Sequence, residues 1–380
     1  MTIQVFKPNF DKVEVEAVRE VLLSGWVGLG PKTDLFEREF ANYVGASYAI
    51  GVNSGTSALH LSLAALGIGP GDEVLVPTIT FASTAHAVSY CGATPVFVDI
   101  EADTLNVDVD KLKQYVTQNT KAIIPVHFGG HCCNMESIWR FATAHDLFVI
   151  EDAAHACGSK HDTRMVGSLP SETTCFSFHA VKNLACGDGG MITTSRLDIA
   201  QALRKLRWCG IDKSTWDRVG EYRAAINTQY AKYSWYYEIH QLGFKAHMND
   251  ITAAIGLVQL GKLDGANERR RKIARRYTDE LSSLDWLTCP GVLDVDYGKS
   301  AWHNYVIKTD RRDELNTYLK EFDIMTGVHY MPLHLQPYYR TTSALPVAER
   351  VWPKLLTLPL YPSLTDDEVG QVIRRIKAFQ

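Results

Sequence analysis

The chain has 380 residues, of which 46% are hydrophobic and 22% are charged, a composition typical of globular proteins and unlike disordered or collagen-like chains. Its formal net charge of −4 gives no general attraction to nucleic acid, and no apolar window is long enough to cross a bilayer. The eight cysteines form no CxxC pair or zinc-site spacing, and residues 1–12 lack an apolar signal-peptide stretch. We therefore expect a cytoplasmic protein with reduced thiols, without bound metal, nucleic-acid partner or membrane contact.

The first half of the chain alternates strand-like apolar runs with helical patterns. Amphipathic periodicity predicts helices over residues 11–24 and 56–66. The candidate core positions of the first helix are Val13, Val18, Val21 and Leu22. Strand-length apolar runs lie at 73–76, 94–98, 122–126, 147–150, 174–178 and 190–194, with helical stretches at 81–90 and 135–145 between them. This alternation predicts crossover connections and a mostly parallel sheet covered by helices on both faces.

The second half of the chain predicts a smaller unit. A polar, aromatic-rich stretch over 212–240 predicts a long loop of the kind that often has a function. The elements predicted after it are one or two helices over 249–276, a strand over 305–309, an amphipathic stretch over 311–322 and a helix over 366–379 that Thr365 caps. We therefore predict an α/β chain with a large domain over residues 1–250 and a smaller C-terminal α+β domain over 251–380.

The segment 53–57 lies between a strand-like run and a helix. Gly55 lets the backbone approach a ligand closely, and the helix N-terminus offers free N–H groups and the positive end of its dipole. The segment therefore fits a phosphate site, although an ordinary helix cap uses the same residue types. It matches neither the P-loop pattern nor the GxGxxG pattern of dinucleotide-binding proteins.

The acidic pair Glu151 and Asp152 directly follows the strand-like residues 148–150. Open α/β sheets bind ligands at the carboxyl ends of their parallel strands, where this pair is expected to lie. A buried carboxylate needs a cationic or protonated partner, and a protonated pyridine nitrogen would serve. A surface turn that caps the next helix is the alternative explanation.

Lys182 lies in a mostly apolar segment that ends in the glycine-rich turn 187–190. A lone lysine is usually a solvated surface charge. Apolar surroundings disfavour the ammonium and lower the pKa of the amine, which suits a lysine that forms an imine with a carbonyl group. Together with the two preceding segments, it supplies phosphate donors, a pyridinium partner and an amine. The set predicts that Lys182 carries pyridoxal 5′-phosphate (PLP).

On these residues the sequence resembles the DegT/DnrJ/StrS family of nucleotide-sugar aminotransferases. The family has the aspartate aminotransferase fold, which is fold type I of the PLP-dependent enzymes. The matching motifs, in chain order, lie at residues 24–26, 30–31, 51–59, 67–74, 77–81, 151–155, 176–182 and 329–334. The resemblance implies PLP as the cofactor, pyridoxamine phosphate (PMP) within the catalytic cycle, and a homodimer with the active site at the interface.

The resemblance also implies roles for individual residues. Lys182 matches the lysine that forms an imine with the cofactor, and Asp152 matches the partner of the pyridine nitrogen. The residues that match contacts to the cofactor phosphate are Gly55, Thr56, Ser57 and Ser177. Phe81 matches an aromatic residue that stacks on the cofactor ring, and His155 matches a position near the phenolic oxygen of the cofactor. His329 and Tyr330 match a loop that lies near the sugar substrate.

The stretch 244–248 departs from the family pattern, which commonly reads Tyr-Asn-Tyr-Arg-Met. Lys245 stands where the asparagine of a neighbouring subunit reaches the cofactor phosphate, so it would replace that contact with a charge. His247 replaces the arginine.

The resemblance implies transfer of an amino group from L-glutamate, which leaves as 2-oxoglutarate, to a keto sugar attached to a nucleoside diphosphate. The Ser177-Phe178-His179 form resembles members that act at C4 of 4-keto-6-deoxy sugars, in the biosynthesis of surface polysaccharides such as the O-antigen of lipopolysaccharide. The alternatives are a sugar dehydratase with the same cofactor and a non-catalytic PLP-binding regulator. Some dehydratases of the superfamily have histidine in place of the lysine, so Lys182 favours transamination.

Overall fold

The computed structural model describes residues 2–211, 237–290, 300–340 and 344–379, so the loop predicted over 212–240 lies almost entirely outside the described residues. The helices are α1 Lys12–Ser24, α2 Pro31–Val44, α3 Gly55–Ala65, α4 Ala82–Tyr90, α5 Met135–His145, α6 Leu197–Leu206, α7 Asp250–Leu281, α8 Arg312–Glu321, α9 Pro346–Val351 and α10 Asp366–Lys377. The strands are β1 Tyr48–Val52, β2 Glu73–Pro77, β3 Thr94–Val98, β4 Thr120–Ile123, β5 Phe148–Asp152, β6 Lys160–His161, β7 Arg164–Met165, β8 Thr173–Ser177, β9 Gly190–Thr194, β10 Tyr305–Lys308 and β11 Leu355–Leu358.

The central sheet has seven strands in the order β1-β9-β8-β5-β4-β2-β3. Strands β8, β5, β4, β2 and β3 pair in parallel, and β9 is antiparallel to both of its neighbours. The predicted α/β class with a mostly parallel sheet is therefore confirmed. Because β1, β5 and β8 run in the same direction, their carboxyl ends meet at one edge of the sheet, which is where open α/β sheets bind ligands.

The strands are apolar on both faces because helices cover both faces. Successive residues of a strand point to opposite sides. In β5, Val149 packs into the cluster that α2, α5 and the first half of α7 cover, and Ile150 packs into the cluster under α3 and α6. Phe176 and Cys175 divide in the same way in β8. The continuous apolar runs in the sequence thus report a doubly covered sheet.

A second core lies around the two-stranded antiparallel sheet of β10 and β11. Its cover comes from α8, α10 and the end of α7, and Ile3 of the N-terminal segment packs into it. Helix α7 joins the two cores, because Ala253 and Leu263 belong to the first and Ile273 and Leu281 to the second. The division into domains at residue 250 stays a prediction.

The core positions predicted for α1 are partly wrong. Val21 is 1% exposed, but Val13 and Leu22 are 55% and 56% exposed. The helix packs on α7 through a face that includes Val21 and the buried carboxylate of Glu14, which accepts a hydrogen bond of 2.7 Å from Lys262 Nζ. Because Glu14, paired with Lys262, occupies part of the face of α1 that packs on α7, the apolar side chains of Val13 and Leu22 lie on the exposed side of the helix.

Candidate active site

A cavity of about 290 Å³ opens at the carboxyl edge of the central sheet. The residues that line it include Phe6, Gly55, Thr56, Phe81, Asp152, His155, Ser177, Lys182, His303, His329 and Tyr330. Nine of the sequence-predicted site residues are therefore brought together around one space. Ser57 and Lys245 are not in this lining, and Phe6 and His303 join it without having been predicted.

Helix α3 points its N-terminus at the cavity. Ser54 caps the helix by accepting a hydrogen bond of 3.0 Å from the N–H of Ser57, and the N–H groups of Gly55 and Thr56 stand in the first turn, where a helix offers no acceptor. A Cβ on Gly55 would lie 2.8 Å from the Cβ of Ser177. Glycine is therefore required for β8 and α3 to lie this close. The free N–H groups, the dipole and the Thr56 and Ser177 hydroxyls fit a phosphate.

Ser57 supports this turn from outside the cavity. Its hydroxyl donates to Asn53 Oδ1 at 2.7 Å, and the Thr56 hydroxyl is hydrogen bonded to that of Ser83 at 2.6 Å. The predicted phosphate role of Ser57 thus stays a prediction.

Asp152 ends β5 with its side chain 5% exposed. Its Oδ2 accepts a hydrogen bond of 2.8 Å from the Thr84 hydroxyl, and its Oδ1 accepts one of 3.1 Å from the N–H of Ala154. Burial raises the pKa of this carboxyl, while both donors and the charge of Lys182 oppose the rise. A carboxylate has about four lone-pair sites, so Asp152 can still accept from a protonated ring nitrogen.

Lys182 lies in the turn that follows β8. Its N–H donates to the carbonyl of His179 at 2.8 Å, and Phe178 anchors the turn by bonding to Gly189 and Cys186. Burial lowers the pKa of the Lys182 amine to about 8, against the opposing attraction of Asp152. At pH 7 about one amine in ten is then neutral, compared with about one in 3,000 at the ordinary value. A neutral amine is the form that attacks a carbonyl.

Three of the histidines that line the cavity with Lys182 have lowered pKa values. Burial and the charge of Lys182 lower the pKa of His155 and of His303 well below the ordinary value, and they lower that of His329 to about 4. His155 Nδ1 accepts from the N–H of Gly129 at 3.3 Å, so its Nε2–H is the donor to the Tyr330 hydroxyl at 3.2 Å. These three imidazoles therefore offer polar atoms without adding positive charge to the cavity.

Several aromatic rings line the cavity together. The rings of His155 and His303 stack with centroids 4.5 Å apart, and Phe6 stacks on the other side of His303 at 5.1 Å. Phe81 is 60% exposed at the mouth, with its centroid 6.1 Å from that of Tyr330. Phe6 and His303 escaped prediction because they are remote in sequence and belong to no motif.

Lys245 is exposed and does not line the cavity, and its Nζ lies 3.4 Å from the centre of the Trp208 ring. His247 packs against the same indole, and burial together with Lys245 lowers its pKa to about 4. The role predicted for Lys245 concerns a neighbouring subunit and stays a prediction.

All eight cysteines are free. Within the described ranges, no group of three or more histidine, cysteine or acidic side chains could hold a metal ion. In the same ranges, no helix combines the length and apolar character that a membrane span requires.

The fold and the site define a class of protein. The carboxyl edge of the mostly parallel sheet brings together a helix N-terminus, a buried aspartate and a desolvated lysine. This arrangement fits PLP, and the fold is that of a fold type I PLP-dependent enzyme. The chain belongs to the DegT/DnrJ/EryC1/StrS aminotransferase family, whose sequence profile matches residues 8–377. It is a nucleotide-sugar aminotransferase, and the family, fold type, cofactor and enzyme class predicted from the sequence are confirmed.

Known proteins resemble this chain over nearly its whole length. The spore coat polysaccharide biosynthesis protein SpsC of Bacillus subtilis is 45% identical over 382 residues, which cover 97% of this chain and 95% of SpsC. The aminotransferase TlmJ of Streptoalloteichus hindustanus superposes with a TM-score of 0.90 at 36% identity, covering 100% and 98% of the two chains. Spr1654 of Streptococcus pneumoniae in its PMP form superposes with a TM-score of 0.88 at 30% identity, covering 100% and 97%.

Proposed function

We propose that this enzyme transfers the amino group of L-glutamate to C4 of a 4-keto-6-deoxy sugar carried by a nucleoside diphosphate, in the biosynthesis of a surface polysaccharide. One observation carries the proposal: the Lys182 amine, with its pKa lowered to about 8, shares a cavity with Asp152 and the N-terminus of α3. The resemblance to SpsC supports a polysaccharide pathway.

Different residues around the cavity would bind different parts of the cofactor. Gly55, Thr56 and Ser177 would bind its phosphate, Asp152 its ring nitrogen and Lys182 its aldehyde carbon. When bound, PLP supplies an electron sink for the bond changes at the amino donor. Thr84 and the N–H of Ala154 orient the Asp152 carboxylate. A carboxylate held in this way would keep the ring nitrogen of the bound cofactor protonated.

Lys182 acts as the base and acid of the reaction. Within each half-reaction its Nζ would move one proton between the substrate carbon that bears the nitrogen and the aldehyde-derived carbon of the cofactor: away from the α-carbon of glutamate in the first, and onto the sugar carbon that gains the nitrogen in the second. A pKa near 8 suits both directions because the amine changes protonation state close to neutral pH. Phe6, Phe81 and Tyr330 contribute aromatic side chains to the lining of this space.

A neighbouring subunit would contribute to the cofactor site. We propose a cytoplasmic homodimer in which Lys245 of each chain reaches the cofactor phosphate of the other. The exposure of Lys245 supports this role, as do the exposed apolar side chains Val13, Leu22 and Leu23 of α1, which a partner surface would cover.

The proposal is tested by steady-state kinetics and product analysis. Because the amino group is held by the enzyme between the two substrates, double-reciprocal plots at several glutamate concentrations should be parallel. Nuclear magnetic resonance of the product should show nitrogen at C4. Intersecting lines would contradict the two-step transfer, nitrogen at C3 would contradict the position, and a dehydrated sugar would favour the dehydratase reaction.

A further inference from the structure

Thr78, His334 and Glu349 form a hydrogen-bonded series of hydroxyl, imidazole and carboxylate groups. His334 is 1% exposed, with its Nδ1 2.6 Å from the Thr78 hydroxyl oxygen and its Nε2 3.2 Å from Oε1 of Glu349. Thr78 is fully buried, whereas the Glu349 side chain on α9 is 42% exposed. Because a carboxylate only accepts hydrogen bonds, His334 Nε2 carries the hydrogen, and Nδ1 of the neutral ring accepts from the Thr78 hydroxyl.

The same order of groups occurs in enzymes whose hydroxyl is a nucleophile. Here neither Thr78 nor His334 is among the residues that line the cavity, and the Thr78 side chain has no exposed surface from which to attack a substrate. A nucleophilic role is therefore excluded. Any effect of the series on the reaction passes through the segments that it joins.

The first of these segments is the loop between β2 and α4, which begins at Thr78. The Thr78 N–H donates to the carbonyl of Val98 at 3.1 Å. Further along, the Thr80 hydroxyl is hydrogen bonded to that of Thr84 at 2.8 Å, and Thr84 donates to Asp152 at 2.8 Å. This loop is therefore held against the sheet by contacts that do not involve His334.

The second segment, residues 328–332, is named here the sugar-side loop because it contains His329 and Tyr330, which line the cavity. Its first four residues make no backbone–backbone hydrogen bond to any residue that the structure describes. Its side chains make two contacts: His329 Nδ1 lies 2.8 Å from Thr357 Oγ1, and the Tyr330 hydroxyl accepts from His155 Nε2 at 3.2 Å.

The backbone of the sugar-side loop is fixed at its two ends. Before it, Gly327 exchanges backbone hydrogen bonds of 3.1 and 2.7 Å with Thr357. After it, the N–H of Leu333 donates to the carbonyl of Thr78 at 2.9 Å, and the next side chain is that of His334. The contact between His334 and Thr78 therefore fastens the second end of the loop to a part of the chain that is already held in place.

We propose that His334 is a positioning residue for the sugar half-reaction. Its hydrogen bond to Thr78, supported by Glu349, fixes the end of the sugar-side loop and thereby the place of Tyr330 in the cavity. The inference rests on the proposed function in taking this loop as the one that contacts the keto sugar. The glutamate half-reaction should be affected less, because the residues at the sheet edge that carry it are held by other contacts.

Thr78→Val and Thr78→Ser test this role, since valine keeps the shape of the side chain without the hydroxyl and serine keeps the hydroxyl. The probes are glutamate and the 4-keto-6-deoxyglucose derivatives of UDP and dTDP, used with the PLP-loaded enzyme. In a two-step transfer, kcat/KM for each substrate reports its own half-reaction. Thr78→Val should lower kcat/KM for the sugar about 3- to 10-fold, as expected for one lost hydrogen bond. The value for glutamate, and both values in Thr78→Ser, should stay near those of the wild type.

Hydrogen–deuterium exchange gives a second readout that needs no sugar. The amides of residues 328–336 should exchange faster in Thr78→Val than in the wild type, whereas those of α4 should stay protected. Thr193→Val is the matched control, because Thr193 of β9 is 1% exposed and its hydroxyl donates to the carbonyl of Gly167 at 2.8 Å. This control should lose stability in urea unfolding and leave both readouts unchanged.

The outcomes are distinguishable. An unchanged kcat/KM for the sugar in Thr78→Val would overturn the inference, and so would an equal loss for glutamate or an equal loss in Thr78→Ser. A wild type that converts neither keto sugar would count against the proposed function, and unchanged exchange in Thr78→Val would then overturn the inference separately. If Thr78→Val does not fold, as judged by circular dichroism, unchanged exchange in Glu349→Ala would overturn it instead.

Discussion

Replacement of Gly55 by alanine tests how closely α3 approaches the end of β8. The new Cβ would stand 2.8 Å from Ser177 Cβ and 3.3 Å from its Cα, so backbone must move. Overpacking of this kind costs about 1–3 kcal/mol of folding free energy. The shift also separates the first-turn N–H groups from the Ser177 hydroxyl. Loss of one charge-assisted hydrogen bond to the phosphate, worth about 1.5–3 kcal/mol, weakens PLP binding roughly 10- to 150-fold.

The assay combines two measurements on the same protein. Urea unfolding of the cofactor-free form gives the folding cost, and titration with PLP gives the dissociation constant. Gly261→Ala in α7 is the matched control, since a Cβ there meets no described atom within 4 Å and alanine favours a helix. It should leave binding unchanged and should not destabilise the fold. Wild-type affinity in Gly55→Ala would refute the phosphate site at α3.

The remaining predictions concern the carboxylates. Asp152→Asn should retain PLP on Lys182 but lower kcat about 100-fold or more, because the ring nitrogen loses its anionic partner; an unchanged kcat would remove that role. Thr84→Val deletes a donor that favours the ionised Asp152, so the pKa of this carboxyl should rise and the acid limb of the rate–pH profile should move up by about one pH unit. Asp250→Ala removes four hydrogen bonds at the start of α2 and should cost about 3 kcal/mol in urea unfolding.

The sequence predicted the sheet because its strands are buried on both faces and read as apolar runs. Helix α2 was not predicted, since its cap is the Asp250 carboxylate, 220 residues from Gly30. No local pattern reveals a cap of that kind. The antiparallel direction of β9 could not be predicted either, because an apolar run in the sequence does not indicate the direction in which its strand pairs. The exposure of Val13 depends on how α1 packs against α7, which is a tertiary contact.

The candidate site was predictable where chemistry follows a strand directly. Asp152 and Ser177 end β5 and β8, and Gly55 begins the helix after β1, so strand order alone brings them together. His303 and Phe6 reach the same cavity from opposite ends of the chain. Their place depends on how the N-terminal segment and the second core pack against the sheet, which strand patterns do not show.

The most direct test of the central claim is an absorption spectrum of the purified enzyme with PLP, recorded before and after addition of L-glutamate. The wild type should show the visible band of a lysine-bound cofactor, and glutamate should convert it to the shorter-wavelength band of the pyridoxamine form. The Lys182→Ala variant should lack the visible band of the lysine-bound cofactor. A wild type without the band after incubation with PLP, or a Lys182→Ala variant that shows it unchanged, would contradict the assignment of Lys182.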